Sequence, residues 1–257
     1  MPSQQLTEIF REIVGPNGIL EGKDAHDRSE SWPPAGGCKA SIVLRPASTA
    51  EVSAILKACH QAGQTVVTHG GVTGLVGGAQ TTADDVVVSL ERMNRMETVD
   101  VANRCLTAEA GVIIQNIQEA AEQVGLLFPV DYGARGSAQL GGAISTNAGG
   151  NSVIRYGMTR EQVLGIEAVL ADGTIISSMK DVIKNNTGYD LKQLFIGAEG
   201  TLGVITAATL KLFPAPASSA TALVAVADPA AAVQLYGHAR AAIGDEMVAF
   251  ELIPRIA

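Results

Sequence analysis

The sequence has few of the features that mark nucleic-acid-binding or membrane-spanning proteins. Its 18 Lys and Arg residues against 26 Asp and Glu residues give a formal net charge of -8. No cluster of basic residues is present to bind a phosphate backbone, so we expect no nucleic-acid partner. A run of about 18 apolar residues is missing as well, so we expect no membrane span.

Cysteine is also scarce. The three cysteines, Cys38, Cys59 and Cys105, form no Cys-x-x-Cys motif. An odd number at such spacing is typical of reduced thiols. The N-terminus lacks the basic region and following apolar stretch of a signal peptide. From these absences we predict a cytoplasmic protein.

Several motifs of nucleotide-binding and hydrolytic enzymes do not occur. The absence of Gly-x-Gly excludes the Rossmann fingerprint, and the absence of Gly-Lys-Ser/Thr excludes a P-loop. Gly-x-Ser-x-Gly is missing too, so no hydrolase nucleophile elbow is expected. The four histidines lie far apart in the sequence: His26, His60, His69 and His238. We therefore predict no metal site and assign no catalytic residue.

Hydrophobic periodicity predicts an α+β fold. Ser48 and Glu51 form a capping box, and the helix that they open is predicted to end at Gly63. That helix joins two strands, and a glycine-rich loop follows the second. Strands are predicted at residues 41–45, 65–68, 86–90, 98–101, 106–110, 163–170, 174–177 and 204–212, and helices at 6–13 and 113–124.

The last residues have a separate pattern. After a proline-rich linker at residues 213–216, two strands at 222–226 and 248–252 are predicted on either side of a helix at 229–242. These roughly 40 residues are fewer than an unaided domain usually needs. We therefore expect the beginning of a further, truncated domain.

Glycine is abundant, with 28 of 257 residues against an average of roughly 7%. Residues 70–78, which we call the first glycine loop, follow a predicted strand directly. Successive backbone N–H groups of such a loop can converge on an anion, which favours a pyrophosphate site, although a flexible loop would have a similar composition. The apolar residues Val72, Leu75 and Val76 favour a fixed, packed loop.

Two further segments have the same character. The second glycine segment, residues 129–150, combines small residues with short polar side chains that suit a planar polar ligand. The third glycine segment, residues 197–206, follows a related polar stretch at residues 186–191. Its Gly197, Gly200 and Gly203 lie at every third position, as in a tight turn with a close neighbour. Either of these segments alone could be a surface loop, but the first glycine loop and the second glycine segment together favour one large nucleotide-like ligand that spans both.

The order of these motifs resembles that of the FAD-linked oxidases and dehydrogenases of the vanillyl-alcohol oxidase and p-cresol methylhydroxylase (PCMH) type. The resemblance covers about residues 41–212 and rests on the runs 141–142, 146–150 and 195–203, with residues Gly-Gly, Thr-Asn-Ala-Gly-Gly and Phe-Ile-Gly-Ala-Glu-Gly-Thr-Leu-Gly. Within that superfamily the chain is most similar to the D-2-hydroxyacid dehydrogenase branch, which includes D-2-hydroxyglutarate dehydrogenase, D-lactate dehydrogenase and the glycolate oxidase flavin subunit.

The resemblance implies a PCMH-type FAD-binding domain of two α+β subdomains, residues 41–97 and 98–217. An N-terminal segment, residues 1–40, precedes it, and the start of an incomplete α+β substrate domain, residues 218–257, follows. Covalent relatives carry histidine where this chain has Val72, so FAD is expected to bind non-covalently. Carried over by position, the cofactor-binding residues are Gly70, Gly71, Val72, Thr73, Gly74, Leu75, Gly77, Gly78, Pro129, Asp131, Gly136, Ser137, Gly141, Gly142, Thr146, Asn147, Gly149, Gly150, Gly200, Val204 and Ile205.

In these relatives hydride passes from the substrate α-carbon to flavin N5, and the resemblance implies the same reaction here. The partners would be a small 2-hydroxyacid and an electron acceptor, with a homodimer or a partner subunit left open. Two alternatives remain at this point. One is a stand-alone FAD-binding subunit that needs a partner chain to bind substrate. The other is a UDP-sugar reductase of the same fold.

Overall fold

The computed structural model describes residues 2–32 and 36–254, and a four-stranded sheet forms its first layer. The strand order is β1-β2-β4-β3, with β2, β4 and β3 parallel and β1 antiparallel at the edge. Parallel strands covered on both faces are apolar throughout, and β2 and most of β4 are buried aliphatic residues. The strands are β1 (Ile19–Glu21), β2 (Ile42–Leu44), β3 (Val66–His69) and β4 (Val86–Ser89).

Three helices accompany this sheet: α1 (Gln4–Val14), α2 (Lys23–His26) and α3 (Thr49–Ala62). The predicted start of α3 is confirmed, because the Ser48 hydroxyl accepts a hydrogen bond from the Glu51 amide at 3.2 Å. The Glu51 carboxylate accepts from the amide of Ala47 at 2.8 Å, one residue before the position that a capping box would use. The predicted end is confirmed as well, since Gly63 has a left-handed φ of 64°.

The second layer is an antiparallel sheet of order β5-β9-β7-β8. Helices α4 and α5 cover one face of it, around a core that includes Phe128, Ile144 and Ile166. The other core lies between α1, α3 and the first sheet and also takes in Val204 from β9. The elements are β5 (Cys105–Glu109), α4 (Ile114–Glu122), β6 (Leu126–Leu127), α5 (Leu140–Ser145), α6 (Val153–Tyr156), α7 (Thr159–Gln162), β7 (Val163–Val169), β8 (Ile175–Ser177), α8 (Lys192–Phe195), β9 (Val204–Lys211) and β10 (Phe213–Pro214).

The structure lacks three of the predicted strands, and the predicted linker at residues 213–216 contains the short strand β10. Residues 98–101 form no strand, because only isolated bridges through Met96 and Asp100 connect this stretch to β5. Residues 222–226 and 248–252 form no strand either, since a strand needs a neighbour to complete its ladder and no described residue pairs with them in one. The predicted helix between them is confirmed as α9 (Pro229–Ile243).

Residues 140–145 of the second glycine segment form a helix, although the segment has no strong period. Its helix α5 has six residues, too few to show a hydrophobic repeat. None of the helices in the described ranges is long and apolar enough to cross a membrane. The described residues do not include residues 1, 33–35 and 255–257. The first two of these ranges belong to the predicted N-terminal segment 1–40, and the last belongs to the predicted segment 218–257.

Candidate functional site

A cavity of about 350 Å³ lies where the first glycine loop meets the second and third glycine segments. Its volume is in the range of small-molecule sites. The first glycine loop leaves the carboxyl end of β3, and the carboxyl ends of parallel strands are where open sheets place their ligands. The fold therefore brings together three segments that are far apart in the sequence.

Many of the predicted cofactor-binding residues line this cavity. They are Gly70, Gly71, Val72, Thr73, Gly74, Leu75, Gly77, Gly78, Gly141, Gly142, Thr146, Gly200, Val204 and Ile205. The others lie outside its lining, namely Pro129, Asp131, Gly136, Ser137, Asn147, Gly149 and Gly150. Residues that the sequence did not single out also line it, among them His69, Tyr132, Gln139 and Glu199.

Some of the glycines hold the segments against each other. A Cβ on Gly71 would lie 2.0 Å from the carbonyl oxygen of Ser137, and a Cβ on Gly150 would lie 2.2 Å from that of Asp131. No side chain fits at such distances, so these glycines allow backbone to pack on backbone. Gly142 differs, because a Cβ there would meet nothing within 4 Å. Since Gly142 lines the cavity, its missing side chain leaves room for a ligand.

Each of the three segments also holds one non-glycine residue in the left-handed region. Val72 has a φ of 52°, Asn147 of 47° and Glu199 of 51°. A β-branched residue such as Val72 is rarely found there, and the conformation costs about 1–3 kcal/mol. Such strain persists where the surrounding structure imposes it, and it clusters at functional sites.

His69, to which the sequence assigns no role, connects the two ends of the first glycine loop. Its Nε2 lies 2.8 Å from the carbonyl oxygen of Ala79, so Nε2 carries the proton and donates it. Burial lowers the pKa of His69, and Arg28 lowers it further, while the bond to Ala79 and the charge of Glu30 oppose the shift. The ring is therefore neutral near pH 7. The signal for this role, a histidine at the end of a strand, was too weak to identify it from the sequence.

In a charged cluster beside β2 and β4, Glu91 forms ion pairs with two arginines. Glu91 accepts hydrogen bonds from Arg28 at 2.5 Å and from Arg45 at 3.3 Å. Burial raises the pKa of Glu91, but the two arginines outweigh it and the net shift is downward.

Among the described residues no Lys or Arg lines the cavity, whereas Glu30 and Glu199 do. An anionic ligand would therefore depend on backbone N–H groups.

The prediction that the first glycine loop is packed against the protein is wrong at the tip of the loop. Leu75 is 76% exposed and Val76 is 82% exposed. The loop has no helix or strand to bury them, and both residues line the outer part of the cavity. They therefore offer apolar surface to a ligand or a covering element.

Through Arg160, Asn147 connects the second segment to the residues just before the third. Its Oδ1 accepts a hydrogen bond from the Arg160 amide at 2.9 Å. The Arg160 guanidinium in turn donates to the carbonyl oxygens of Gln193 at 2.9 Å and Ile196 at 2.5 Å. The geometry thus gives Asn147 a positioning role, and its predicted contact with cofactor remains a prediction.

Tyr132 and Gln139 are polar cavity residues that the sequence did not identify. Burial raises the pKa of Tyr132 to about 12, so its phenol stays protonated and can donate a hydrogen bond at neutral pH. The neighbouring Arg135 forms an ion pair with Asp131 at 2.5 Å, and Arg155 forms one with Glu246 at 3.0 Å.

The chain is similar in sequence to known flavin-binding proteins. A family described as "FAD binding domain" matches residues 40–178, more than half of the chain. The mitochondrial D-2-hydroxyglutarate dehydrogenase of Bos taurus is 41% identical over 95% of this chain and 45% of its own length. The D-2-hydroxyglutarate–pyruvate transhydrogenase of Saccharomyces cerevisiae is 34% identical over 96% of this chain and 50% of its own length. The chain spans about half the length of the curated relatives it matches.

Among solved structures, an alkyldihydroxyacetonephosphate synthase matches with a TM-score of 0.74 and 19% identity, over 85% of this chain and 42% of its own. At that identity the likeness shows the fold alone. Together with the family match, it confirms the predicted PCMH-type α+β fold.

The predicted cytoplasmic location is wrong on this comparison. Several of the relatives are named as mitochondrial enzymes, including those of Bos taurus and Arabidopsis thaliana. The prediction rested partly on reduced cysteines, and all three cysteines are indeed free and buried. Reduced thiols argue only against an oxidising compartment and do not distinguish among reducing ones.

Proposed function

Because the chain belongs to the FAD-binding domain family, we propose that it is the flavin-binding half of an oxidoreductase that converts a D-2-hydroxyacid to the 2-oxoacid. FAD is the cofactor of this domain. The observation that carries the proposal is that the three glycine segments line one shared cavity. The first and second of these segments lie within residues 40–178, which match the family.

The residues around the cavity fit FAD. The first glycine loop offers backbone N–H groups to the pyrophosphate at the carboxyl end of a parallel strand, and the absence of cationic side chains from the described lining leaves that role to the backbone. Gly142 leaves open space that a side chain would fill. We assign Gly141, Gly142 and Thr146 to the part of the FAD beyond the pyrophosphate, and Val204 and Ile205 to its adenine end.

Bound FAD would supply the oxidant, since it can accept a hydride, which carries both electrons of the oxidation. The chain binds and orients the cofactor and shields it from water. Val72 occupies the position where covalent relatives have histidine, and a valine side chain forms no bond to flavin. Acid precipitation of the protein should therefore release the flavin into the supernatant, and yellow colour in the pellet would contradict this.

D-2-hydroxyglutarate is the substrate that we propose first, because the names of several relatives specify it. The name of the yeast relative pairs the same hydroxyacid with pyruvate, so a 2-oxoacid is one kind of electron acceptor to test. D-lactate and glycolate belong to the same chemical class and form the comparison set.

The proposal is tested on the natural protein isolated from its source, whatever its length. It should contain about one FAD per chain, and anaerobic addition of D-2-hydroxyglutarate should bleach the flavin absorbance. The L-enantiomer is the control, because hydride transfer requires one orientation of the α-carbon. Failure to retain FAD would reject cofactor binding, and retained FAD with no bleaching by any of the hydroxyacids would reject the substrate class.

A second candidate is a flavin-binding subunit that a partner chain completes. It is favoured by the exposed apolar side chains after residue 217, including Leu223 and Ile253. Helix α9 buries only Ala232 among its described residues. The native mass of the isolated protein, compared with its denatured mass, distinguishes this candidate from the first.

A further inference from the structure

Gln139 has an unusual environment for a polar side chain. Its Oε1 is buried and has no hydrogen-bond partner among the described residues. Gln139 also lines the cavity between the first and second glycine segments. A buried acceptor without a donor costs free energy, because the hydrogen bonds that water made in the unfolded chain are not replaced.

The main chain around Gln139 is held on both sides. Its own carbonyl oxygen accepts from the Ala143 amide at 3.0 Å, and the next amide, that of Leu140, donates to Val112 at 2.8 Å. These two hydrogen bonds fix the backbone from which the side chain extends. The side chain starts where the two segments meet, because a Cβ on Gly70 would lie 3.8 Å from the Cβ of Gln139.

We propose that Gln139 positions the riboflavin half of FAD by accepting a hydrogen bond from it, an inference that rests on the proposed function. Oε1 is an acceptor and needs an N–H or O–H donor. The ribityl hydroxyls and the N–H of the flavin ring are such donors, whereas the ionised pyrophosphate has none. Gln139 and Tyr132 thus supply neutral polar groups from the second segment, while the first loop supplies N–H groups for the charged part.

This role has a consequence that a merely structural glutamine would not share. In the empty domain the unpartnered oxygen destabilises the fold, and in the loaded domain it stabilises the complex. Gln139→Leu, which removes the amide at similar size, should leave the melting temperature of the FAD-free chain unchanged or raise it by about 2–4 °C. The same variant should weaken FAD binding about tenfold.

Gln162 is the matched control. It also has a buried, unpartnered Oε1, but it does not line the cavity, and its Nε2 donates to the carbonyl oxygens of Tyr156 and Met158. Gln162→Leu should therefore lower the melting temperature of the FAD-free chain. The affinity of the folded chain for FAD should stay the same.

The experiment is a titration of the flavin-free chain and both variants with FAD, riboflavin and ADP, followed by flavin fluorescence or calorimetry, alongside thermal unfolding without ligand. Weaker binding of FAD and riboflavin by Gln139→Leu, with unchanged ADP binding, supports the proposal. Unchanged FAD affinity, a loss confined to ADP, or a destabilised FAD-free variant would each overturn it. If the unsubstituted chain binds no FAD at all, the proposed function fails first and the inference falls with it.

Discussion

At the scale of single residues, the glycines of the three segments have different structural roles. Gly71 and Gly150 are required because backbone lies within 2.0–2.2 Å of where their Cβ atoms would be. Gly142 has no such neighbour and faces the cavity. The first kind shapes the site, and the second kind leaves space in it.

Gly142→Leu should separate ligand binding from folding. The new side chain has open space to enter, so the flavin-free chain should keep its melting temperature within a few degrees. The same space is needed by FAD, so affinity should fall at least about tenfold, equivalent to roughly 1.4 kcal/mol. Gly133→Leu is the control, because a Cβ at Gly133 also meets nothing within 4 Å but Gly133 lies outside the cavity lining. Equal flavin titrations for the two variants would show that the cavity is not the FAD site.

His69 should make stability depend on pH in a defined window. Its pKa in the folded chain lies below the ordinary value of 6.5, so on acidification the unfolded chain takes up a proton first. The free energy of unfolding should therefore fall as pH drops below about 6.5 and level off below the folded pKa. In His69→Gln, which can still donate to Ala79, urea unfolding between pH 7 and pH 5 should show a weaker dependence. An equally steep dependence in that variant would assign the effect to other groups.

At the scale of elements, the site depends on how loops and short helices are held against the sheets. Arg160, at the start of α7, donates hydrogen bonds to two carbonyls of the α8 region and is in turn held by Asn147. This arrangement ties α8, which leads into the third glycine segment, to the second segment. Two backbone hydrogen bonds, from the amide of Gly197 to Ile144 at 3.1 Å and from the amide of Glu199 to Ser145 at 2.8 Å, join the segments directly.

Arg160→Met should therefore destabilise the fold and weaken FAD binding together. Hydrogen bonds from a charged donor contribute about 1.5–3 kcal/mol, and two carbonyls lose their donor here. Urea unfolding should show a loss of that size. Arg135→Met is the control, since the pair with Asp131 is half-exposed and should contribute less than about 1 kcal/mol. Similar losses in the two variants would mean that Arg160 does not hold the segments together.

At the scale of the whole molecule, the described residues supply a cofactor cavity but no cationic group within it to bind a substrate carboxylate. Arg28 and Arg45 are engaged by Glu91, and Arg155 pairs with Glu246. Hydride transfer requires the substrate to be held close to the flavin, and such orientation is worth about 7–11 kcal/mol. A carboxylate substrate is usually held by an arginine or a metal ion.

We therefore predict that this 257-residue chain, loaded with FAD, is not rapidly reduced by D-2-hydroxyglutarate or D-lactate. The measurement is flavin absorbance after anaerobic mixing, with dithionite as the control that the flavin can be reduced. Fast bleaching by either hydroxyacid would show that residues of this chain complete the substrate site.

Much of the secondary structure could be predicted from the sequence because it depends on local order, and the cofactor family could be predicted from the resemblance of the motifs to a known family. The β-α-β unit, the start and end of α3 and strands β7 and β9 follow from periodicity, capping residues and glycine positions, and the structure confirms them. The run of glycine motifs indicated the FAD-binding family, which the comparison confirms. Strands predicted at residues 222–226 and 248–252 failed, because a short apolar run becomes a strand only beside another strand.

Tertiary structure alone decided which of the predicted residues face the cavity. Asp131 and Gly150 belong to the family pattern, yet Gly150 packs on the backbone of Asp131 and neither lines the cavity. Gln139 and His69, which the pattern does not mark, do line it. The exposure of Leu75 and the strain at Val72 were also invisible in the sequence. The physical reason is that composition and spacing specify the conformations that a segment can adopt, while contacts between segments far apart in the chain determine which atoms are left facing the cavity.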